Sequence, residues 1–481
     1  MMETDVLNSK SKFLTEQALS FLVLNALLAA LLLLLFVYPF LMGNTLYYRD
    51  ISHNYYPILQ FMKESLQQGQ LPFWNPFLFW GTPQVATLEP PLFYPFAWFF
   101  FIFDFGPALI INLCVHYVLA AWGMYFFLKS YCLQPWAQVY AAVAWAFGGV
   151  LISLYHMHPL LNTVVWIPWL FLCARQYILA ESHNKSLRLM WGLSFSLVLA
   201  LQTLSGHLEI VYFTSLSGLV YVLSLCSNKV NLRSVTQLVF FFCLGMGMAA
   251  VQLMPSLAFM PESLRGTGIE VEEAQYFSLP PFHLPGAFVP RFLGDLLSLF
   301  NLRPMVGDAE LSYNSLLNSV YLGVSTVILA CLSGFKKRKE TYFWFGLALI
   351  SLLGALGKYF YFYTSFFLIF DNFFYKDKEV STFTQKVYED TNNIIWIIGN
   401  KGVLKVNNQN EFQSRAKPII NVTQKGFIFN VEQTPRINPI STKLISRISN
   451  KFLRVLASFL PCWTFYPENI SRSQYILQPS P

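Results

Sequence analysis

Residues 21–40 read FLVLNALLAALLLLLFVYPF, a stretch without a charge in which Asn25 and Tyr38 are the polar exceptions. As a helix rising 1.5 Å per residue, such a stretch covers about 30 Å, the thickness of a bilayer's hydrocarbon layer. It is longer than a signal-peptide core, keeps large residues to its end and lacks an A-x-A-like cleavage site. It is therefore expected to be a retained first span.

Similar stretches recur along the chain. Further spans are predicted at about 108–128, 136–155, 160–177, 189–204, 211–225, 238–253, 316–332 and 343–356, with a tenth candidate at 360–374. The expected fold is an all-α polytopic bundle of nine or ten transmembrane helices. Composition agrees: 55% of residues are apolar, 12% are charged and the mean hydropathy is +0.46, so lipid rather than water must solvate most of the chain. Aromatic residues, at 17%, suit belts at the two membrane interfaces. The net charge of +7 sits mostly in short loops between apolar runs, where it orients the chain, and nucleic acid is discounted as a partner. Cysteines such as Cys114, Cys173, Cys243 and Cys331 fall inside apolar segments with no C-x-x-C or Cys/His spacing, which points away from disulfide and zinc frameworks.

Positive charge alternates between loops. Lys10 and Lys12, then Lys129, then Lys185 and Arg188, then Lys229 and Arg233, then the run Lys336-Lys337-Arg338-Lys339 all fit one orientation, with the N-terminus cytoplasmic. Two long segments, 42–106 and 255–313, then lie outside, and the working face is external. In the first, Ile58, Leu59, Met62 and Leu66 share one helical face and Gly69 is placed to stop the helix, which reads as an interfacial helix. The stretch 93–103 is too short to cross, with Pro91 and Pro95 breaking it. After residue 375 the composition changes: 394–398, 403–406 and 427–431 read as short strands of a small water-soluble tail. Lys443, Arg447, Lys451 and Arg454 recur at helical spacing and suit a helix lying on anionic lipid.

No phosphate-cradling Gly loop, dinucleotide fingerprint, H-E-x-x-H or G-x-S-x-G occurs. The candidates are polar groups at the outer boundary. Asp50, with Arg49 and His53, directly follows the first span, where partial desolvation suits a carboxylate to general-base work; the bland alternative is an Arg/Asp pair fixing the first helix. Glu89, in Leu88-Glu89-Pro90-Pro91, is its rival as base or metal ligand. His207 and Glu209 stand in a sharp outer turn, Ser205-Gly206-His207-Leu208-Glu209, whose alternative reading is ordinary turn polarity. Glu262, Arg265 and Lys358 complete the set, the two cations being on the side that positive-inside bias depletes, where they invite an anionic ligand such as a lipid phosphate or snorkel to headgroups.

Ordered motifs carry a resemblance. Asp50-x-x-x-Asn54-Tyr55-Tyr56-Pro57, Gly69-x-Leu71-Pro72-Phe73-Trp74-Asn75-Pro76, Gly81-x-Pro83 and Phe93-Tyr94-Pro95 resemble the first external loop of the YfhO-like bacterial membrane proteins, within the GT-C superfamily of polytopic glycosyltransferases. His158 before Trp166-Ile167-Pro168, Gly206-His207, Gln252-Leu253-Met254-Pro255, Glu262-Ser263-x-Arg265, the run 280–294 and Leu356-Gly357-Lys358-Tyr359 follow in the family's order, over about residues 15–375. The resemblance implies an inner-membrane enzyme of inverting type. It would move a sugar from a polyprenyl-phosphate donor, without a nucleotide, to an external glycan acceptor. Asp50 would be the base, Arg265 and Lys358 the phosphate ligands, and His53 or His207 would position sugar hydroxyls; the metal requirement stays open. After Tyr359 the family's next Arg/Pro segment is replaced by Phe373-Phe374-Tyr375-Lys376-Asp377-Lys378-Glu379, so a tail at 376–481 is expected to be a shortened external domain, and a non-catalytic copy is one alternative. A translocator of lipid-linked glycans is another, and it calls for polar groups deep in the spans. Asn25, Asn112, His116, Gln202 and Gln252 are the few that qualify.

Overall fold

The structure is a computed structural model that describes residues 2–48, 50–78, 81–89, 91–180, 184–225, 232–263, 278–290, 319–335 and 338–360, together with the backbone of six strands between 384 and 429. Arg49, Arg265, Lys336 and Lys337, the tenth candidate span after Phe360 and the basic stretch around Lys443 lie outside the described residues. The chain divides into two units, Met1–Phe370 and Asp371–Pro481.

The first unit is helical. Among the described residues, five segments are long and apolar enough to cross a membrane: Phe13–Leu41, Phe105–Lys129, Pro135–Leu179, Lys185–Leu204 and Leu208–Leu225. A sixth is formed if Ser234–Met248 and Ala250–Glu262, bent by 73° at a short break, count as one. The protein is thus a multi-pass membrane protein. The count is lower than the nine or ten expected, for two physical reasons. The two spans expected at 136–155 and 160–177 form one 45-residue run. A straight helix of that length would measure about 68 Å, more than twice the hydrocarbon thickness. The run instead breaks after Ala146 and again through the 3₁₀ turn Leu154–Met157 before resuming at His158. Of the last two apolar helices, Val324–Gly334 with 11 residues is short for a full crossing, and Lys339–Ala355 with 17 is at the lower limit.

Helix ends follow the local chemistry. Asn184 caps Lys185–Leu204 by accepting from the Leu187 amide at 3.0 Å. Asp104 is extended before Phe105–Lys129, and its carboxylate pairs with Lys63 at 3.3 Å. Small residues set the closest packing, between Lys185–Leu204 and Leu232–Met248: a Cβ on Gly192 would strike the Phe241 ring, and one on Gly245 would lie 2.7 Å from the Ser196 carbonyl oxygen. Ser196 Oγ then donates to the Phe241 carbonyl at 2.7 Å, the kind of interhelical bond that small residues permit where lipid supplies no hydrophobic drive.

The long connection after the first span is ordered. It opens with a π-helical turn, Ile51–Tyr55, and continues as the helix Tyr56–Gln67. Gly69, at φ +73°, ends that helix in a Schellman arrangement, with Gln70 N donating to Ser65 O at 2.9 Å and Gly69 N to Leu66 O at 3.0 Å. The apolar face of Tyr56–Gln67 does not rest on lipid as expected. Ile58 and Met62 close on Val85 and Leu92 of the same loop, and Leu59 joins the main core. An amphipathic pattern specifies a buried face without specifying what buries it.

The loop's far end is anchored by a buried polar chain. His116 Nδ1 lies 2.7 Å from the Asn112 carbonyl, which can only accept, so Nδ1 carries the proton. Nε2 then accepts from the Tyr94 hydroxyl at 2.7 Å, and Tyr94 in turn accepts from the Trp166 indole at 3.0 Å. Loop, second span and third helical run are joined through two motif residues, Tyr94 and Trp166, and His116. In the second unit, Thr384–Glu389, Ile395–Gly399, Gly402–Val406 and Phe412–Arg415 form an antiparallel sheet in chain order, and Ile420–Thr423 pairs with Gly426–Phe429.

Candidate functional site

The first loop meets the turn between Lys185–Leu204 and Leu208–Leu225. Gly206 holds φ +114°, and a Cβ there would lie 2.8 Å from the Leu88 carbonyl oxygen and 3.4 Å from Glu89 Cγ, so the turn can seat on the loop only with glycine. From the other side, Gln252, just past the 73° bend, donates through Nε2 to the carbonyls of Val85 at 2.8 Å and Thr87 at 3.0 Å. Two independent contacts therefore fix residues 85–89.

Glu89 is held at both oxygens. Oε1 is 2.8 Å from His207 Nε2, an ion pair whose geometry is not that of an aligned hydrogen bond, and Oε2 accepts from Tyr55 Oη at 3.2 Å. His207 Nδ1 also faces Glu209 Oε2 at 3.9 Å. Burial alone would push the imidazole down, but the adjacent Glu209 and Glu89 carboxylates outweigh it and raise its pKa to about 9. His207 is thus an imidazolium at neutral pH, clasped by two carboxylates. The Tyr55 phenol is raised above its ordinary value by burial first, then by the charges of Glu89 and Asp50, and it stays a neutral donor. Behind it, His158 packs edge-on to the Tyr55 ring at 4.5 Å and against Phe100 at 5.1 Å. His158 is 2% exposed, and its Nδ1 has no hydrogen-bond partner among the described residues.

Asp50 stands apart from this cluster but near it. It is half-buried, precedes the π-helical turn Ile51–Tyr55, and has no hydrogen bond or ion pair among the described residues. A cavity of about 410 Å³ opens against the turn that follows Asp50, lined on the loop side by Tyr47, Ile51 and Ser52 and on the bundle side by Phe40, Leu109 and Ile110; Asp50 itself is not part of its wall. The cavity therefore has an apolar wall on the spans and polar groups on the loop. A larger cavity of about 730 Å³ lies toward the other end of Phe105–Lys129, with Lys129, Trp169 and Trp191 among its walls, and none of the candidate residues lines either cavity.

The other candidates are dispersed. His53 is exposed on the π-helical turn and Glu262 is exposed at the end of Met260–Glu262. Lys358 is exposed, its amide donating to Ser278 Oγ at 3.0 Å and its ammonium lying 5.1 Å from the Tyr359 ring centroid. Among the described residues no group of three or more His, Cys, Asp and Glu side chains is placed to hold a metal ion. Tyr55 and His158 are members of the site that chemistry-based sequence reading passes over. Both are letters of the quoted motifs, but aromatic and lone-histidine letters carry no signal of which carboxylate they will meet. No protein-family profile, curated protein or solved structure matches the chain.

Proposed function

We propose that the chain is a membrane-embedded glycosyltransferase of GT-C type. In this reading it moves a sugar from a polyprenyl-phosphate-linked donor to a glycan acceptor outside the membrane. The observation that carries it is Asp50, a half-buried carboxylate without a hydrogen-bonded partner among the described residues, directly preceding Ile51 and Ser52, which line a cavity of about 410 Å³ with apolar walls on one side and polar groups on the other. A lipid-linked donor needs such a place, because its tail must remain in hydrocarbon while its sugar reaches water.

The chemistry is a single displacement. An acceptor hydroxyl attacks the anomeric carbon, its proton passes to Asp50, the bond from that carbon to the phosphate oxygen breaks, and polyprenyl phosphate leaves with the electron pair. Arg265 and Lys358 are assigned to the phosphate by charge, and His53 to a sugar hydroxyl. Glu89 is here a positioning residue rather than a second base: both its oxygens are engaged, and its ion pair with His207 fixes the loop that carries Tyr55. The translocator alternative is less well supported. The amide nitrogens and the imidazole in the spans serve structural contacts, Gln202 Nε2 to Thr163 O and Thr214, Gln252 Nε2 to the loop carbonyls and His116 to Tyr94.

The test is genetic and chemical together. Removing the protein from its host should leave external glycans short of one sugar and polyprenyl-phosphate sugar accumulated. Unchanged glycans with a redistributed lipid-linked pool would instead favour translocation.

A further inference from the structure

The first loop carries a feature that sugar transfer does not use. From Ser65 to Leu88 the sequence contains no charged residue, yet it is rich in Phe, Trp and Leu. Its middle is pinned by a bridge between Asn75 and Thr82. Asn75 and Thr82 exchange backbone hydrogen bonds at 2.8 and 2.9 Å, buried Asn75 donates to Gln84 Oε1 at 3.0 Å and accepts from the Phe77 amide at 3.0 Å. Gly81, at φ +118°, lets the Trp74 indole lie against the backbone, where any Cβ would overlap the ring. Leu71, Phe73, Trp74 and Phe77 stand at 55%, 62%, 57% and 85% exposure, four large apolar side chains along this stretch.

The height of Phe77 can be read from its neighbours. The Phe77 ring lies 6.0 Å from that of Phe61, two residues before Lys63. Lys63 Nζ donates to the Phe103 carbonyl at 2.7 Å and pairs with Asp104 at 3.3 Å, at the entrance of the span Phe105–Lys129. Phe77 is therefore level with the place where a span enters the bilayer, the depth at which aromatic side chains settle.

We propose that Leu71, Phe73, Trp74 and Phe77 form a wedge inserted into the interfacial layer of the same membrane, pinning the loop against the lipid surface. The occupant is the bilayer itself. The level at which the span Phe105–Lys129 enters the bilayer is where aromatic side chains settle, and it is there that the loop holds Phe77. The inference stands on the loop's geometry and holds whether or not the chain transfers sugar.

The experiment is cysteine labelling of the full chain in lipid nanodiscs, open on both faces, with a polar maleimide and peptide-level mass spectrometry to separate the native cysteines. Phe77→Cys and Phe73→Cys are compared with Gln68→Cys, an exposed polar position on the same loop. The wedge predicts that Phe77→Cys and Phe73→Cys label several-fold more slowly than Gln68→Cys and reach its rate once the protein is unfolded in denaturant. Labelling of both as fast as Gln68→Cys overturns it. So does protection that appears only when soluble polysaccharide is added, which would make the stretch a glycan-binding platform.

Discussion

His207 is a cation held by Glu89 at 2.8 Å and Glu209 at 3.9 Å, so its charge state decides whether the outer turn stays clasped to the first loop. Its folded pKa of about 9 lies above the ordinary 6.5, which means folding favours the protonated form. The stabilisation is fully present below the ordinary value and is lost as pH rises through about 9. Thermal unfolding in nanodiscs should therefore show an apparent Tm that falls between neutral and alkaline pH in the parent and is nearly flat in His207→Gln. Parallel profiles for the two proteins would place the titration elsewhere. Glu89 as rival to Asp50 was legible as a carboxylate in the right loop. Its engagement was not, because Tyr55 and His207 reach it across the fold, and no local pattern in the sequence encodes which of two carboxylates ends up paired.

The loop elements are fixed by two contacts whose removal should be felt separately. Gly206→Ala forces a Cβ to 2.8 Å from the Leu88 oxygen at a positive φ, and strain of this kind costs roughly 1–3 kcal/mol. Gly346→Ala, with nothing within 4 Å in the helix Lys339–Ala355, is the control and should be neutral or slightly stabilising. Gln252→Leu strips the donor from two loop carbonyls, and leaving such acceptors unmet costs about 1–3 kcal/mol. Apparent Tm values should rank Gly346→Ala at or above the parent and the other two clearly below; equal values for all would mean the loop is held by other contacts. Element existence was readable from hydrophobic runs: the span expected at 108–128 is found as Phe105–Lys129, and Gly69 stops its helix where its residue type says it should. Partners of faces were not. The stripe Ile58, Leu59 and Met62 fits lipid and protein equally well on paper, and the loop folds back to supply Val85 and Leu92.

At the scale of the whole molecule, the site gathers at one end of the bundle while cations mark the other. Lys185 opens the helix whose far end, Leu204, leads to the His207 turn, and Lys129 closes the helix whose start adjoins the first loop. If positive charge marks the cytoplasm, the loop–turn junction faces outward. A reporter fused after Lys339 should then read as cytoplasmic and one inserted near Gly266 as external; reversed readings would turn the cavity against the turn that follows Asp50 toward the cytoplasm and remove an external acceptor. The central claim is that Asp50 receives the acceptor's proton while Glu89 only positions the loop. The direct measurement is sugar transfer from polyprenyl-phosphate donor to acceptor in membranes carrying equal amounts of the parent, Asp50→Asn or Glu89→Gln. Asp50→Asn should lose roughly a hundredfold or more, the usual worth of a general base, and Glu89→Gln should keep a substantial fraction. Full transfer by Asp50→Asn at normal protein level would contradict the account.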